Sequence, residues 1–119
     1  MDTTQFVDLF TAARPVVFAF HGYQRAIHEI VQGHPHAERF HVRGFNDQWT
    51  TTTPFDMVVL NGMSRYHLCI EALRRAACLR DRAPTLIAAC TARIAEATAY
   101  AREHLEDIPE ISNWMWANA

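Results

Sequence analysis

Pro15-Val16-Val17-Phe18-Ala19-Phe20-His21-Gly22-Tyr23 is the stretch that decides the fold class. Its opening residues form a continuous apolar run rich in β-branched and aromatic side chains, the pattern of a strand covered on both faces. Strands of that kind belong to parallel sheets. His21-Gly22-Tyr23 breaks the run, and Ala26, Ile27, Ile30 and Val31 then recur at helical spacing until Gly33 and Pro35 stop the helix. Phe40-His41-Val42-Arg43-Gly44-Phe45 follows as a second short strand. Strand, helix and strand in this order predict one βαβ unit with a right-handed crossover.

Before the first strand, Phe6, Val7, Leu9 and Phe10 predict a turn or two of helix that ends by Arg14-Pro15. After the second strand, residues 46–53 are polar and include the string Thr50-Thr51-Thr52-Thr53, which cannot bury a helix face and reads as an ordered loop. Thr53-Pro54 then signals a helix start, with threonine as N-cap and proline at the first helical position. Met57, Val58, Val59 and Leu60 give that helix a core face, and Asn61-Gly62 turns the chain. Ser64 caps a second helix with Leu68, Ile70, Leu73 and Ala77 inward. Pro84 opens a third, alanine-rich helix over residues 85–105, buried through Leu86, Ile87, Ile94 and Tyr100. Beyond Pro109, the tail with Ile111, Trp114, Met115 and Trp116 is expected to dock on a core.

Several helices therefore accompany only two strands, a poor sheet by itself. The expected architecture is α/β: a single domain over residues 1–119 with a short, mainly parallel sheet and several C-terminal helices, the latter part of a larger three-layer, Rossmann-like fold. A sheet lacking its opening strands leaves an unpaired edge that recruits another chain. Covering about 600 Å² of apolar surface at about 25 cal/mol per Å² would contribute on the order of 15 kcal/mol before association costs, so a homo-oligomer is expected.

Composition narrows the function. Half of the 119 residues are hydrophobic, the formal net charge is −2, and every cationic side chain is an arginine. The arginines form no basic stripe suited to nucleic acid. No apolar run reaches membrane-spanning length, and Asp2 stands where a signal peptide would be positive, so a cytoplasmic location is expected. Cys69, Cys78 and Cys90 have no CxxC spacing and read as buried, inert thiols.

Three segments together resemble a known family: residues 15–23, then His41-Val42-Arg43-Gly44-Phe45, then residues 50–61, Thr-Thr-Thr-Thr-Pro-Phe-Asp-Met-Val-Val-Leu-Asn. In order and spacing they resemble the C-terminal domain of xylulose-5-phosphate/fructose-6-phosphate phosphoketolases. Arg65-Tyr66-His67-Leu68, residues 100–104, residues 107–111 and Trp114 extend the similarity nearly to the last residue. The family usually has glycine before the threonine string, where this chain has Trp49, and aspartate after Asn61, where it has Gly62. The resemblance covers only the last part of a much longer chain, and it implies a domain that begins upstream of these residues with a further strand, helix and strand. It implies a parent carbon–carbon lyase that cleaves a ketose phosphate with inorganic phosphate to give acetyl phosphate and a shorter aldose phosphate. It also implies that thiamine diphosphate and magnesium sit between the parent's other domains, so that this chain binds no cofactor and is not catalytic alone.

His21, Gly22 and Tyr23 follow the first strand, Arg43 with Gly44 is expected to follow the second, and Thr50, Thr51 and Thr52 occupy the loop beyond. Carboxyl ends of parallel strands share a rim where open α/β folds bind ligands. These residues are candidates for an anion site or an interdomain contact, and the contact reading is preferred because the resemblance puts catalysis elsewhere. His34, His36 and His41 lack the spacing of a zinc motif and read as loop histidines. His67 and Glu71, one turn apart, suit a surface interaction better than a general-base pair. No cysteine has a base or an elbow motif beside it. The competing readings are an interdomain portion of a phosphoketolase, a freestanding regulatory module for a phosphorylated metabolite or nucleotide, and an inactive remnant.

Overall fold

Backbone hydrogen bonding in the computed structural model, which describes residues 2–116, pairs Val16–Phe20 (β1) in parallel with Phe40–Gly44 (β2). The register runs from Val16 opposite Phe40 to Phe20 opposite Gly44. With Thr3–Phe10 (α1) and Gln24–Val31 (α2), these strands make up the first of two compact units, Met1–Asn46 and Asp47–Ala119. The mixed α/β class and the short parallel sheet expected from the sequence are both present.

Asp2 and Gln5 start α1 with a capping box, in which the Asp2 carboxylate accepts from the Gln5 N–H at 2.9 Å and Gln5 Oε1 accepts from the Asp2 N–H at 3.1 Å. The helix carries Phe6, fully buried, onto a core completed by Ile27, Val31, Phe40 and Val42, with Phe10, Val16 and Phe18 packed at its margin. Along β2 the residues alternate buried and half-buried, so one face of the sheet holds this core. The two-sided cover expected for β1 is not met: Val16, Val17 and Phe18 are half-buried, and Ala19 and Phe20 are exposed. The physical reason is width, since α1 and α2 contribute to one core cluster and each strand of a two-stranded sheet has only one neighbour. His34 stacks on Phe6 with centroids 4.3 Å apart, so one of the expected loop histidines is half-buried, while His36 is exposed and His41 lies within β2.

Arg39 holds the approach to β1. Its guanidinium donates to the Phe10 carbonyl at 3.2 Å, to the Thr11 carbonyl at 2.9 Å and to the Arg14 carbonyl. Thr11 has φ of 60°, an unfavourable backbone state for a β-branched residue, and the clamp holds the turn around it.

The second unit is helical: Pro54–Leu60 (α3), Arg65–Arg75 (α4), Ala83–His104 (α5) and Pro109–Ser112 (α6). Thr53 and Ser64 cap α3 and α4, their hydroxyl oxygens accepting the Asp56 and His67 N–H groups, each at 3.3 Å. Ile70 and Leu73 are the buried apolar residues of α4, whereas on α5 they are Ala83, Ala97 and Ala101. Alanine therefore takes the innermost places that the larger Leu86 and Ile87 were expected to hold. Glu71 is buried with its charge matched by Arg75 at 2.5 Å and Arg74 at 3.7 Å.

Two expectations fail here. Cys69 and Cys78 are exposed and Cys90 half-buried, because α4 turns Ile70 inward one position past Cys69, and Cys78 sits in a short 3-10 turn with no buried residue. Nor does the tail form an aromatic anchor: Trp116 is 84% exposed, and Trp114 lies under the Arg65 guanidinium at 5.2 Å on the surface.

Replacing Arg39 with lysine keeps the charge but loses the fork that reaches several carbonyls at once. Urea unfolding of Arg39→Lys is expected to show a loss of about 0.5–1.5 kcal/mol, the net worth of a hydrogen bond whose acceptors are half-buried or exposed. Unchanged stability would contradict the clamp.

Candidate functional site

In the first unit the carboxyl ends of β1 and β2 form a small rim. The Phe45 N–H donates to the Gly22 carbonyl at 2.8 Å, and the exposed His21 ring stacks on Phe45 with centroids 4.3 Å apart. Gly44 is sterically required, because a Cβ there would lie 2.6 Å from the Gln24 nitrogen and 2.7 Å from the Gly22 oxygen. Tyr23 precedes α2 and is 68% exposed, with no capping bond from its side chain. Arg43 pairs in register with Ala19 and is half-buried and engaged. His21, Tyr23 and Arg43 thus belong to the strand unit.

Thr50, Thr51 and Thr52 belong to the helical unit, where they line an open cavity of about 1070 Å³ together with Asp56, Arg102, Glu106 and Asp107. Thr52 donates to Asp56 Oδ2 at 2.7 Å, and Asp107 Oδ2 accepts from the Phe55 N–H at 3.1 Å. Asp56 is buried, and its Oδ1 has no hydrogen-bond partner among the described residues. Three carboxylates against one guanidinium make this lining net acidic, a poor receptor for phosphate. The cavity was not legible in the sequence, since Arg102, Glu106 and Asp107 lie at the far end of the chain from the threonines.

The Ser64 hydroxyl is 2.7 Å from His67 Nδ1, but Ser64 is wholly buried and serves α4 as its cap, so the pair presents no accessible nucleophile. His67 and Glu71 share α4 as expected, but Glu71 is buried with Arg75 rather than lying at the surface. Among the described residues no group of three His, Cys, Asp or Glu side chains could hold a metal ion, and no helix is long and apolar enough to cross a membrane. The donor set does not fit thiamine diphosphate with its metal. The cavity is acidic where a diphosphate needs cationic or N–H donors.

The threonine loop explains one departure from the resembling family. Trp49 has φ of 54°, a left-handed conformation in which glycine is at ease and a large side chain is not. The glycine usual at that position would satisfy it without strain. Gly62, with φ of 64°, stands where aspartate is usual, and aspartate is among the side chains that tolerate this region.

A parallel strand pair in one unit and a set of helices lining an acidic cavity in the other define a mixed α/β protein. Comparison with known sequences makes the class specific: the chain belongs to the XFP C-terminal domain family, whose profile matches residues 1–116. It is similar to proteins named probable phosphoketolase. The relative from Bradyrhizobium diazoefficiens is 48% identical over 111 residues, which is 93% of this chain and 14% of that protein. The relative from Brucella abortus is 47% identical over 112 residues, covering 94% and 14% of the two chains. The one from Pseudomonas putida is 40% identical over 119 residues, covering 100% and 15%. The chain thus spans about one-seventh of the length of these relatives.

Trp49 is 93% exposed, so removing its side chain forfeits little packing. Trp49→Gly is expected to leave stability unchanged or raise it by up to about 1 kcal/mol, relief of the left-handed strain being partly offset by chain entropy. A loss larger than about 1 kcal/mol in denaturant unfolding would mean that the indole has a partner the loop geometry does not reveal.

Proposed function

We propose that this chain is the structural and interdomain C-terminal portion of a phosphoketolase, a cytoplasmic enzyme that cleaves xylulose 5-phosphate or fructose 6-phosphate with phosphate into acetyl phosphate and an aldose phosphate. The observation that carries this reading is the match itself: nearly the whole chain aligns, yet it spans only 14% of relatives named for the complete enzyme. The parent's other domains hold thiamine diphosphate and magnesium, and the cofactor provides the carbanion chemistry when bound. Residues 1–119 act as one domain of that enzyme. The role of this chain is to fill out the fold and to make contacts.

Those contacts are assigned to two places, each considered within its own unit. His21, Tyr23 and Arg43 surround the strand rim. Thr50, Thr51 and Thr52 border a cavity whose acidic lining supports contact with a basic or hydroxyl-bearing surface of the parent over capture of a free anion. The same charge weighs against a freestanding module for phosphorylated metabolites or nucleotides. The unpaired edge of β1 supports homo-oligomerisation of the isolated chain.

Exchange of segments tests the assignment. Replacing the matching segment of the Bradyrhizobium diazoefficiens relative with this chain is expected to preserve acetyl phosphate formation from xylulose 5-phosphate, while the chain alone forms none and shows no calorimetric response to thiamine diphosphate with magnesium. In light scattering the chain alone is expected to have the mass of a dimer or larger. A folded but inactive chimera would sink the assignment. A thiamine diphosphate Kd below about 100 μM for the isolated chain, worth more than about 5 kcal/mol, would equally overturn its noncatalytic role.

A further inference from the structure

The end of α3 is closed by a Schellman motif. Asn61 is the C-cap, and Gly62 beyond it has φ of 64°, a left-handed state that glycine adopts without strain. The Met63 N–H donates to the Val58 carbonyl at 3.0 Å, and the Gly62 N–H donates to the Val59 carbonyl at 2.9 Å. Asn61 adds its side chain to the same exit. Its Nδ2 donates to the Met57 carbonyl at 3.0 Å, and its Oδ1 accepts from Gln48 Nε2 at 2.9 Å. These two bonds fix the orientation of the amide, because the Met57 carbonyl can pair only with the nitrogen end. Asn61-Gly62 is also the asparagine–glycine step of the sequence, whereas the other asparagines precede Asp47, Trp114 and Ala119. Glycine leaves the following peptide nitrogen without a side chain to shield it, so this step cyclises more readily than the asparagine–aspartate step usual here in the family.

We propose that Asn61 is a modification site, at which the side-chain amide is lost to give aspartyl and isoaspartyl forms, and that the Schellman motif of α3 controls the rate. The Gly62 nitrogen gives its proton to water or hydroxide and attacks Asn61 Cγ, the Cγ–Nδ2 bond breaks, and the amide takes up a proton to leave as ammonia. Water then opens the cyclic imide. Cleavage between the Gly62 nitrogen and Cγ gives aspartate, and cleavage between that nitrogen and the Asn61 main-chain carbon gives isoaspartate. An amide and water become a carboxylic acid and ammonia, with no change of oxidation state. In the closed motif each reacting group is engaged. The attacking nitrogen has its hydrogen on the Val59 carbonyl, and the departing Nδ2 donates to Met57. Asn61 ψ is 0°, which turns the Gly62 nitrogen toward the Asn61 nitrogen and away from the Cβ side on which the ring must close. The imide therefore forms from the opened exit of α3. Asn61 and Gly62 are half-buried, so that opening is local. The products do not restore the motif, because isoaspartate lengthens the main chain between its residues and both forms replace the Nδ2 donor with an oxygen that repels the Met57 carbonyl.

The 119-residue chain and a synthetic peptide of residues 58–65 are incubated side by side in mildly alkaline buffer at physiological temperature. Products are measured by peptide mass spectrometry, with isoaspartate verified by enzymatic methylation. In the chain, Asn61 is expected to lose its amide ahead of Asn46 and Asn113. The chain should react more slowly than the peptide by about tenfold or more, tenfold corresponding to about 1.4 kcal/mol of motif stability. Hydrogen–deuterium exchange of the Gly62 amide is an independent readout, because the same N–H must be released in both reactions. Its protection should match the slowing of amide loss within about threefold. Gly62→Asp, which restores the residue usual in the family, should suppress the reaction in the chain and also in the peptide, where folding has no part. The proposal is overturned if Asn46 or Asn113 reacts ahead of Asn61, if the chain falls short of the expected slowing, if Gly62 protection and amide loss disagree, or if Gly62→Asp leaves the peptide as reactive as before.

Discussion

Parallel β-strands are stable when both faces are covered and both edges are paired, and β1 has neither advantage in full. It hydrogen-bonds to β2 alone, presents Val16 and Phe18 to the aromatic core around Phe6, and ends in exposed Ala19 and Phe20. The unit compensates locally. Arg39 ties the chain entering β1 to three carbonyls, Gly44 lets the backbone beside Gln24 close up, and Phe6, Phe10 and Phe40 form a tilted aromatic cluster with centroids 5.0–5.5 Å apart. These devices hold one face of the sheet. The other edge remains open to whatever completes it, which is the physical basis for reading the strand unit as a contact-making part of a larger enzyme.

The helical unit meets a different constraint. The buried apolar residues of α5 are alanines, so close approach rather than large side chains joins α5 to its neighbours. That close approach packs α4 along α5. It also leaves the acidic cavity beside the threonine loop unfilled by bulk, with the unmatched Asp56 oxygen in its wall. Tight alanine packing and an open polar cavity are two results of the same sparing use of large side chains.

Strand and helix identity were legible because their signals are local. The run from Val16 to Phe20, the Thr53-Pro54 start and the Ser64 cap each need only a few neighbouring residues. Degree of burial was less legible. Periodicity told which side of α4 faces inward, but not that Cys69, adjacent to Ile70, would fall at the solvent margin. The site was least legible, because its parts come from separate stretches: residues 50–56 meet residues 101–107 only through the return of α5. For the tail, hydrophobic composition misled, since Trp114 lies against a guanidinium and Trp116 remains in solvent.

Hydrogen–deuterium exchange at β1 tests the central claim most directly. Amides of Val16–Phe20 are to be compared in the isolated chain and in the same chain joined to the preceding domains of a phosphoketolase relative. If those domains complete the sheet, the β1 amides should exchange on the order of tenfold or more slowly in the joined protein, with the β2-facing core amides less affected, each tenfold step corresponding to about 1.4 kcal/mol of local stability. Identical β1 exchange in the two proteins, with the joined protein folded and active, would contradict the account and leave the open edge without a structural purpose.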